Sequence, residues 1–236
     1  GGQALVAFVQ QEQKTVNPPK LFDLTTLQRE ANRLYGYTAQ QTLAYAQSLY
    51  EKKILTYPRT DSQYLTADMA NTANQIALAM TGILPYMEGV SFSPDIGRVL
   101  DSSKVSDHHA IIPTMESVKK GVEALPATEK AVWMLVANRL LCATADKHEY
   151  ETVTGSLDCA GFSCTTKGKT ILHGGWKGIE RAFLATLKEK PKTEPDETAL
   201  PELQGGQVFE AVAASVKDGK TSPPKRYTED TLLSSM

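Results

Sequence analysis

Ile54-Leu55-Thr56-Tyr57-Pro58-Arg59-Thr60-Asp61-Ser62 lies between two segments of helical period, and its reading decides what the rest of the chain is built to carry. A tyrosine two residues before an arginine, in a short extended run between helices, sets a nucleophilic oxygen beside a permanent cation. A phenol with an ordinary pKa of about 10 attacks poorly until a neighbour stabilises its anion or the charge on the group it attacks. Arg59 is planar and always charged, and it can fork onto two phosphate oxygens as a lysine cannot. Pro58 fixes its own φ and biases Tyr57 toward extended backbone, which holds the two side chains in a set relation. The competing reading is a packing tyrosine, half-buried beside Ile54 and Leu55 with its hydroxyl tied off. Taken alone, the stretch leaves both open.

Immediately upstream are two compact helical periods. Thr25-x-x-Gln28 has the form of a capping box, with Leu27, Ala31 and Leu34 following on one face and Gly36 as a stop. Thr38-x-x-Gln41 repeats the form, with Ala39, Leu43, Ala46 and Tyr50 sharing a face. Two short helices, a tight turn and then an extended run resemble a helix-turn-helix whose wing-like strand is the Tyr57 segment. Further upstream, residues 4 to 13 read as a strand, and Val16-Asn17-Pro18-Pro19-Lys20 as a stiff connector.

Downstream, a third helix is expected from near Thr66, with Met69, Ala73, Ile76 and Met80 inward and a stop by Gly82 or Pro85. Residues 86 to 106 read as irregular. Ser106-Asp107-His108-His109-Ala110-Ile111-Ile112-Pro113-Thr114 then offers two imidazoles and a carboxylate. Adjacent histidines point to opposite sides, so they do not both serve one metal. Either one of them reaches a phosphate, with Asp107 holding the ring, or the segment is a surface turn with no role. A fourth helix is expected over 128 to 145, with Val132, Leu135, Val136 and Leu140 inward.

Beyond it the character changes. Runs at 149–158, 161–166, 169–173 and 207–216, punctuated by Gly155, Gly161, Gly168 and Gly174-Gly175, read as an antiparallel β body. Lys188 to Thr198, charged and carrying Pro191 and Pro195, reads as a mobile surface loop. The N-terminal strand is the natural partner of the late strands. The expected fold class is therefore α+β. A mainly helical, winged-helix-like domain (residues 17–147) carries the tyrosine and is inserted between two halves (1–16 and 148–222) of an antiparallel β domain acting as a hinge. Residues 223–236 are read as the stub of a following domain.

The 236 residues carry a formal net charge of −2, so no global basic footprint marks a DNA binder. Local clusters remain in Lys52-Lys53 and Lys225-Arg226, either as phosphate contacts or as ordinary solvated faces. The three cysteines, Cys142, Cys159 and Cys164, are odd in number and widely spaced. That suits a reduced cytosolic protein better than a disulfide scaffold or a zinc site. There is no run of about 18 apolar residues, so no membrane span is expected. The opening Gly1-Gly2-Gln3-Ala4-Leu5 runs straight into a strand, which reads as the edge of an excised piece.

Five signatures, in this order along nearly the whole chain, together resemble the type IA DNA topoisomerases, most closely their bacterial topoisomerase III branch. They are Pro18-Pro19-Lys20-Leu21-Phe22-Asp23-Leu24-Thr25-Thr26-Leu27-Gln28-Arg29-Glu30-Ala31-Asn32; Gln47-Ser48-Leu49-Tyr50-Glu51; Thr56-Tyr57-Pro58-Arg59-Thr60-Asp61-Ser62; Asp107-His108-His109-Ala110-Ile111-Ile112-Pro113-Thr114; and Pro223-Pro224-Lys225-Arg226-Tyr227-Thr228-Glu229. The resemblance implies that Tyr57 is the nucleophile that joins a 5′ phosphate of single-stranded DNA, that Arg59 stabilises the phosphate in flight, and that His108 contacts it; beside them Lys53, of the local basic pair before Tyr57, is the expected further DNA contact. His109 has no role in the family. DNA, supercoiled or catenated, is the implied partner, and the cytoplasm, at the nucleoid, the implied place. Mg²⁺ is implied for the full-length enzyme, held by a separate N-terminal domain with a D-x-D pattern that this sequence lacks, so no residue here is expected to bind it. The chain is then a central fragment, inactive by itself in relaxing DNA. The rival from another class is a winged-helix-like DNA-binding module without chemistry. Its reading helix, with Gln40, Gln41, Tyr45, Gln47 and Ser48, is poorly equipped to hold a phosphate backbone.

Overall fold

Strand β1 (Gly2–Val16) is apolar at its start and polar thereafter, and it runs antiparallel to β2 (His148–Cys159) from Leu5 opposite Asp158 to Val16 opposite His148. A bulge between Val6 and Phe8 interrupts the ladder. Strand β3 (Phe162–His173) pairs with β2, and the short β4 (Val208–Val212) pairs with the start of β1. The four-stranded sheet has the order β3-β2-β1-β4. The structure, a computed structural model, describes residues 2–187, 200–213, 215–216, 218–224 and 226–235. The loop expected over Lys188 to Thr198, and Lys225 of the late basic pair, lie outside them.

The β2–β3 turn is made by Ala160 and Gly161, both at positive φ (55° and 86°), the geometry that matches the twist of a two-residue hairpin. Asp158 reinforces it by accepting the Gly161 N–H at 2.7 Å. The two late runs expected at 161–166 and 169–173 are one strand continuing through Gly168, and the last strand is shorter than the expected 207–216. Gly155 sits where a β-carbon would lie 3.0 Å from both Leu203 Cδ1 and Thr166 Cγ2. The 203–207 segment closes over this face through Gly206 N–H to the Val6 carbonyl and Val6 N–H to the Gln207 carbonyl, both 2.8 Å.

The chain divides into two units: the described residues within Gly1–Val16, Lys147–Gly174 and Lys192–Lys225 form the sheet unit, and those within Asn17–Asp146, Gly175–Pro191 and Arg226–Met236 the helical unit. In the helical unit, α1 (Leu24–Tyr35) begins at Asp23, not at Thr25. The Asp23 carboxylate accepts the Thr26 N–H at 2.7 Å and Thr26 Oγ1 returns to the Asp23 N–H, so the box sits two residues earlier than the sequence pattern placed it. Gly36 ends the helix at φ 69°. Helix α2 (Ala39–Glu51) is capped as expected by Thr38 and Gln41, but it buries Thr42, Ala46 and Leu49, and Tyr50 is 40% exposed. A 3₁₀ turn (Ala67–Met69) leads into α3 (Ala70–Ile83), whose Ala73, Ile76, Ala77 and Met80 face the core. The short α4 (Met115–Lys120) was not anticipated. Helix α5 (Ala127–Thr144) is buried nearly all round, including Trp133 and Leu140, so it is the axis of the core and not the one-sided helix that its period suggested.

The sequence reading ran the β part without a break from 148 to 222, and here the structure corrects it. Residues 175–185 form α6 (Gly175–Ala185), which buries Ile179, Phe183 and Leu184 in the helical unit. Trp176, Ile179 and Phe183 carry its helical period, masked by the glycines at 174, 175 and 178 that made the stretch look like a turn. The last helix, α7 (Glu229–Ser235), also belongs to the helical unit: Asp230 pairs with Arg29 at 3.0 Å, and the Glu229 carboxylate accepts the Ala39 N–H at 2.6 Å. Among the described residues no helix is long and apolar enough to cross a membrane.

Candidate active site

Residues 54–62 leave α2 and run extended across the helical unit, tied to residues 108–114 by isolated bridges and not by a hairpin wing. Leu55 bridges Pro113, the Thr56 N–H donates to the Ile112 carbonyl at 3.0 Å, and the Thr114 N–H donates to the Ile54 carbonyl at 3.1 Å. Threonine hydroxyls lace the gaps that backbone pairing leaves. Thr56 Oγ1 donates to the Ala110 carbonyl at 3.2 Å and accepts the Ile112 N–H at 3.0 Å. Thr60 Oγ1 donates to the His108 carbonyl at 2.8 Å and accepts the Ser62 N–H. Phe22 bridges Ile111 from the other side, and the Leu24 N–H reaches the Thr60 carbonyl at 3.0 Å. Buried polar groups in such a web are satisfied, and a satisfied web is rigid.

Burial alternates along this segment. Pro58, Thr60 and Ser62 point in, Arg59 and Asp61 point out, and Tyr57 is half-buried. The Tyr57 ring lies against the His108 imidazole, with centroids 4.3 Å apart and planes at 45°, and it receives the edge of Tyr50 at 5.3 Å. The two histidines part company as adjacent side chains must. His108 is exposed against Tyr57, whereas His109 is half-buried with Nδ1 donating to the Ala110 carbonyl at 2.8 Å. Asp107 is exposed and holds neither ring by a hydrogen bond among the described residues, contrary to the helper role considered for it. Tyr57 and His108 therefore meet on one laced surface, and Arg59 is exposed two residues on.

The two lysines before the site differ. Lys52 is bound to Glu129 at 2.5 Å, and Ser48 donates to the other Glu129 oxygen at 2.9 Å, so Lys52 ties α2 to α5. Lys53 is exposed and makes no ion pair among the described residues. Sequence reasoning missed the contact of Tyr50, which shares its expected face with Ala39, Leu43 and Ala46, and the partners of Thr56 and Thr60. Thr56 and Thr60 flank the tyrosine, but only the fold reveals that their partners lie some 50 residues on.

A family model described as DNA topoisomerase matches residues 1–236. The chain belongs to the type IA DNA topoisomerase family. Among the relatives of this topoisomerase chain, DNA topoisomerase 3 of Bacillus subtilis is 37% identical over 242 residues, covering 100% of the chain and 32% of the relative. DNA topoisomerase 3 of Bacillus cereus is 37% identical over 240 residues, with 99% and 32% covered. The chain thus spans about a third of the length of the curated relatives it matches. Full-length topoisomerase I from Thermotoga maritima shares the fold, with a TM-score of 0.73 at 22% identity, covering all of this chain and 37% of that one. Type IA enzymes generally depend on Mg²⁺. Among the described residues no group of three or more His, Cys, Asp or Glu side chains gathers to hold a metal, so these residues do not fit that ion.

Proposed function

We propose that this topoisomerase segment carries the DNA-cleaving nucleophile of its complete enzyme. Tyr57 Oη attacks the phosphorus of a phosphodiester in single-stranded DNA. The bond from phosphorus to the 3′ oxygen breaks, that oxygen leaves as a hydroxyl after taking a proton, and the 5′ phosphate stays on the tyrosine. Arg59, exposed two residues on, stabilises the charge that builds on the phosphate, a kind of contribution worth about 10²–10³ in rate. His108, packed against the tyrosine ring, donates to a phosphate oxygen and fixes the ring's approach. Lys53 adds a backbone contact. The bond energy is kept in the phosphotyrosine link, so resealing needs no ATP, and a second strand of supercoiled or catenated DNA passes before it.

The observation that carries this reading is the 4.3 Å pairing of a half-exposed Tyr57 with an exposed His108, two residues before an exposed Arg59. The helix-turn-helix character of α1 and α2 and the hinge role of the sheet unit belong to the same proposal. So do action in the cytoplasm at the nucleoid and the supply of Mg²⁺-holding carboxylates by another domain of the polypeptide, without which the 236 residues alone do not relax supercoiled DNA. The test supplies the N-terminal portion of a complete enzyme, Mg²⁺ and a labelled single-stranded oligonucleotide, and looks for a covalent adduct. Tyr57→Phe is expected to abolish it with binding retained. An adduct that persists in Tyr57→Phe, or none in the unaltered protein, leaves a non-catalytic DNA-binding module as the reading.

A further inference from the structure

Lys53 is held at φ +63°, a left-handed conformation that a β-carbon makes costly. Ala160, in the hairpin turn, is the other described non-glycine residue in that region. Two contacts lock Lys53 there. Its N–H donates to the Tyr50 carbonyl at 2.8 Å, and its carbonyl accepts from Thr114 Oγ1 at 2.5 Å. Glycine would make the same turn without steric cost, so what the lysine adds at this position is its side chain. A strained residue held by its surroundings is an observation from which a role can be inferred. Neighbouring cations are already engaged, Lys52 with Glu129 and both Lys119 and Lys120 with Glu116.

Lys53 rims an open groove of about 570 Å³. Its charged lining is Lys52, Lys53 and Lys120 against the single carboxylate of Glu51, and its apolar lining includes Ile54, Leu125 and Pro126. With Lys52 and Lys120 paired, Lys53 is the lining cation that makes no ion pair among the described residues, and it stands beside an apolar wall. Tyr57 lies four positions after Lys53, so their Cα atoms are at most ~14 Å apart.

We propose that this groove seats a nucleotide of the DNA strand flanking the phosphate at Tyr57, with Lys53 on its backbone phosphate and the Leu125–Pro126 wall against its sugar and base. This deepens the reading of Tyr57 as nucleophile and rests on it. An apolar wall accepts the face of any base, so the seat holds the strand without choosing its sequence.

Fluorescence anisotropy of the 236-residue chain with a fluorescein-labelled oligothymidylate, across a salt series, tests the proposal. Lys53→Gly is expected to weaken binding about three- to tenfold and to make the salt slope shallower by about 0.7, one phosphate contact on a single strand. Its Tm should stay level or rise, because glycine relieves the left-handed strain. Lys120→Gln should weaken binding by less. Unchanged affinity in Lys53→Gly, a Tm that falls together with affinity, or no binding by the unaltered chain at low salt overturns the proposal. The adduct assay separates the two readings. An adduct at Tyr57 with Lys53-independent binding sinks the groove alone, whereas Lys53-dependent binding with no adduct supports the groove as a DNA seat and sinks the nucleophile.

Discussion

The helical unit and the sheet unit are held together by different physics. In the helical unit Phe22, Leu27, Leu49, Leu65, Trp133 and Leu140 are completely buried. In the sheet unit the described buried side chains are few, Ala4, Val6, His148 and Leu203, while Leu5, Phe8, Phe162, Leu172 and Val208 are exposed. One unit is a packed core, stabilised by apolar area removed from water. The other is a set of long ladders, stabilised by backbone pairs and cross-strand contacts. The candidate site lies on the packed unit, where a web of threonine hydroxyls can be held to a fraction of an ångström. Preorganised chemistry needs that rigidity.

The sharpest way to break this contrast is Trp133→Ala, which opens a cavity on the axis of the core. It should destabilise the helical unit by about 3–5 kcal/mol, read by denaturant unfolding. Phe8→Ala, on the exposed face of β1, should stay within about 0.5 kcal/mol. The indole N–H of Trp133 is buried without a partner among the described residues, so Trp133→Phe should cost much less than the alanine. Both tryptophans, at 133 and 176, belong to the helical unit. Tryptophan fluorescence therefore follows that unit, and circular dichroism follows both. Equal losses from Trp133→Ala and Phe8→Ala would mean that the two units share one source of stability.

The next effect tests the web. Thr60→Val removes a hydroxyl that both donates to the His108 carbonyl and accepts from Ser62. It should cost about 1–2 kcal/mol and lower the yield of covalent adduct, whereas Thr60→Ser should restore both. Stability lost without any change in adduct would reduce Thr60 to a packing residue.

The same contrast explains what could be read in the sequence. Period and caps are local, so α2 with Thr38 and Gln41, the end of α1 at Gly36 and the inner face of α3 were legible. The cap of α1 moved from Thr25 to Asp23 because an aspartate caps as well as a threonine and Thr26 stands in for the glutamine of the usual box, a pairing that the Thr25-x-x-Gln28 pattern overlooks. Helix α6 was hidden because its glycines speak for a turn, and its stripe pays off only against the core of the other helices. The tyrosine, arginine and histidine of the site stood out through a family resemblance. Tyr50 and the threonines did not, since their partners are set by tertiary folding. A wing was expected from an extended run after two helices, but such a run pairs with whatever edge the fold presents, here residues 110–113.

A smaller effect probes the sheet unit. Gly155→Ala brings a β-carbon within 3.0 Å of Leu203 Cδ1 and Thr166 Cγ2. Both are ends of side chains that can give, so the cost should be about 1 kcal/mol, not the several typical of an overpacked core. Hydrogen exchange should show faster opening of β2 and β3, with α5 unaffected. If α5 opens equally, the sheet and the core unfold as one cooperative body.

The smallest effect lies among the charges around α1 and α6. Burial pushes the Glu180 carboxyl upward, Glu30 adds to it, and Arg139, Arg33 and Lys177 only partly offset the two. Burial also pushes Glu30 upward, but the fork from Arg33 at 2.6 and 2.8 Å, with the charges of Arg139 and Arg29, brings it below its ordinary value. The signs oppose each other. Glu180, raised on folding, contributes stability that is full below the unfolded glutamate value and is lost as pH rises through its folded value. Glu30, lowered on folding, contributes stability that is present above the unfolded value and is lost as pH falls through its folded value. Glu180→Gln should therefore stabilise the protein at pH 7 by a few tenths of a kcal/mol to about 1, discounted for its partial exposure. It should do nothing at about pH 3.5, below the ordinary glutamate value of about 4.3. Glu30→Gln should do the reverse at pH 7, leaving Arg33 without its carboxylate. A loss of stability at neutral pH in Glu180→Gln would show Arg139 or Arg33 to be its true partner, and would make this cluster a stabilising network instead of a cost that the core absorbs.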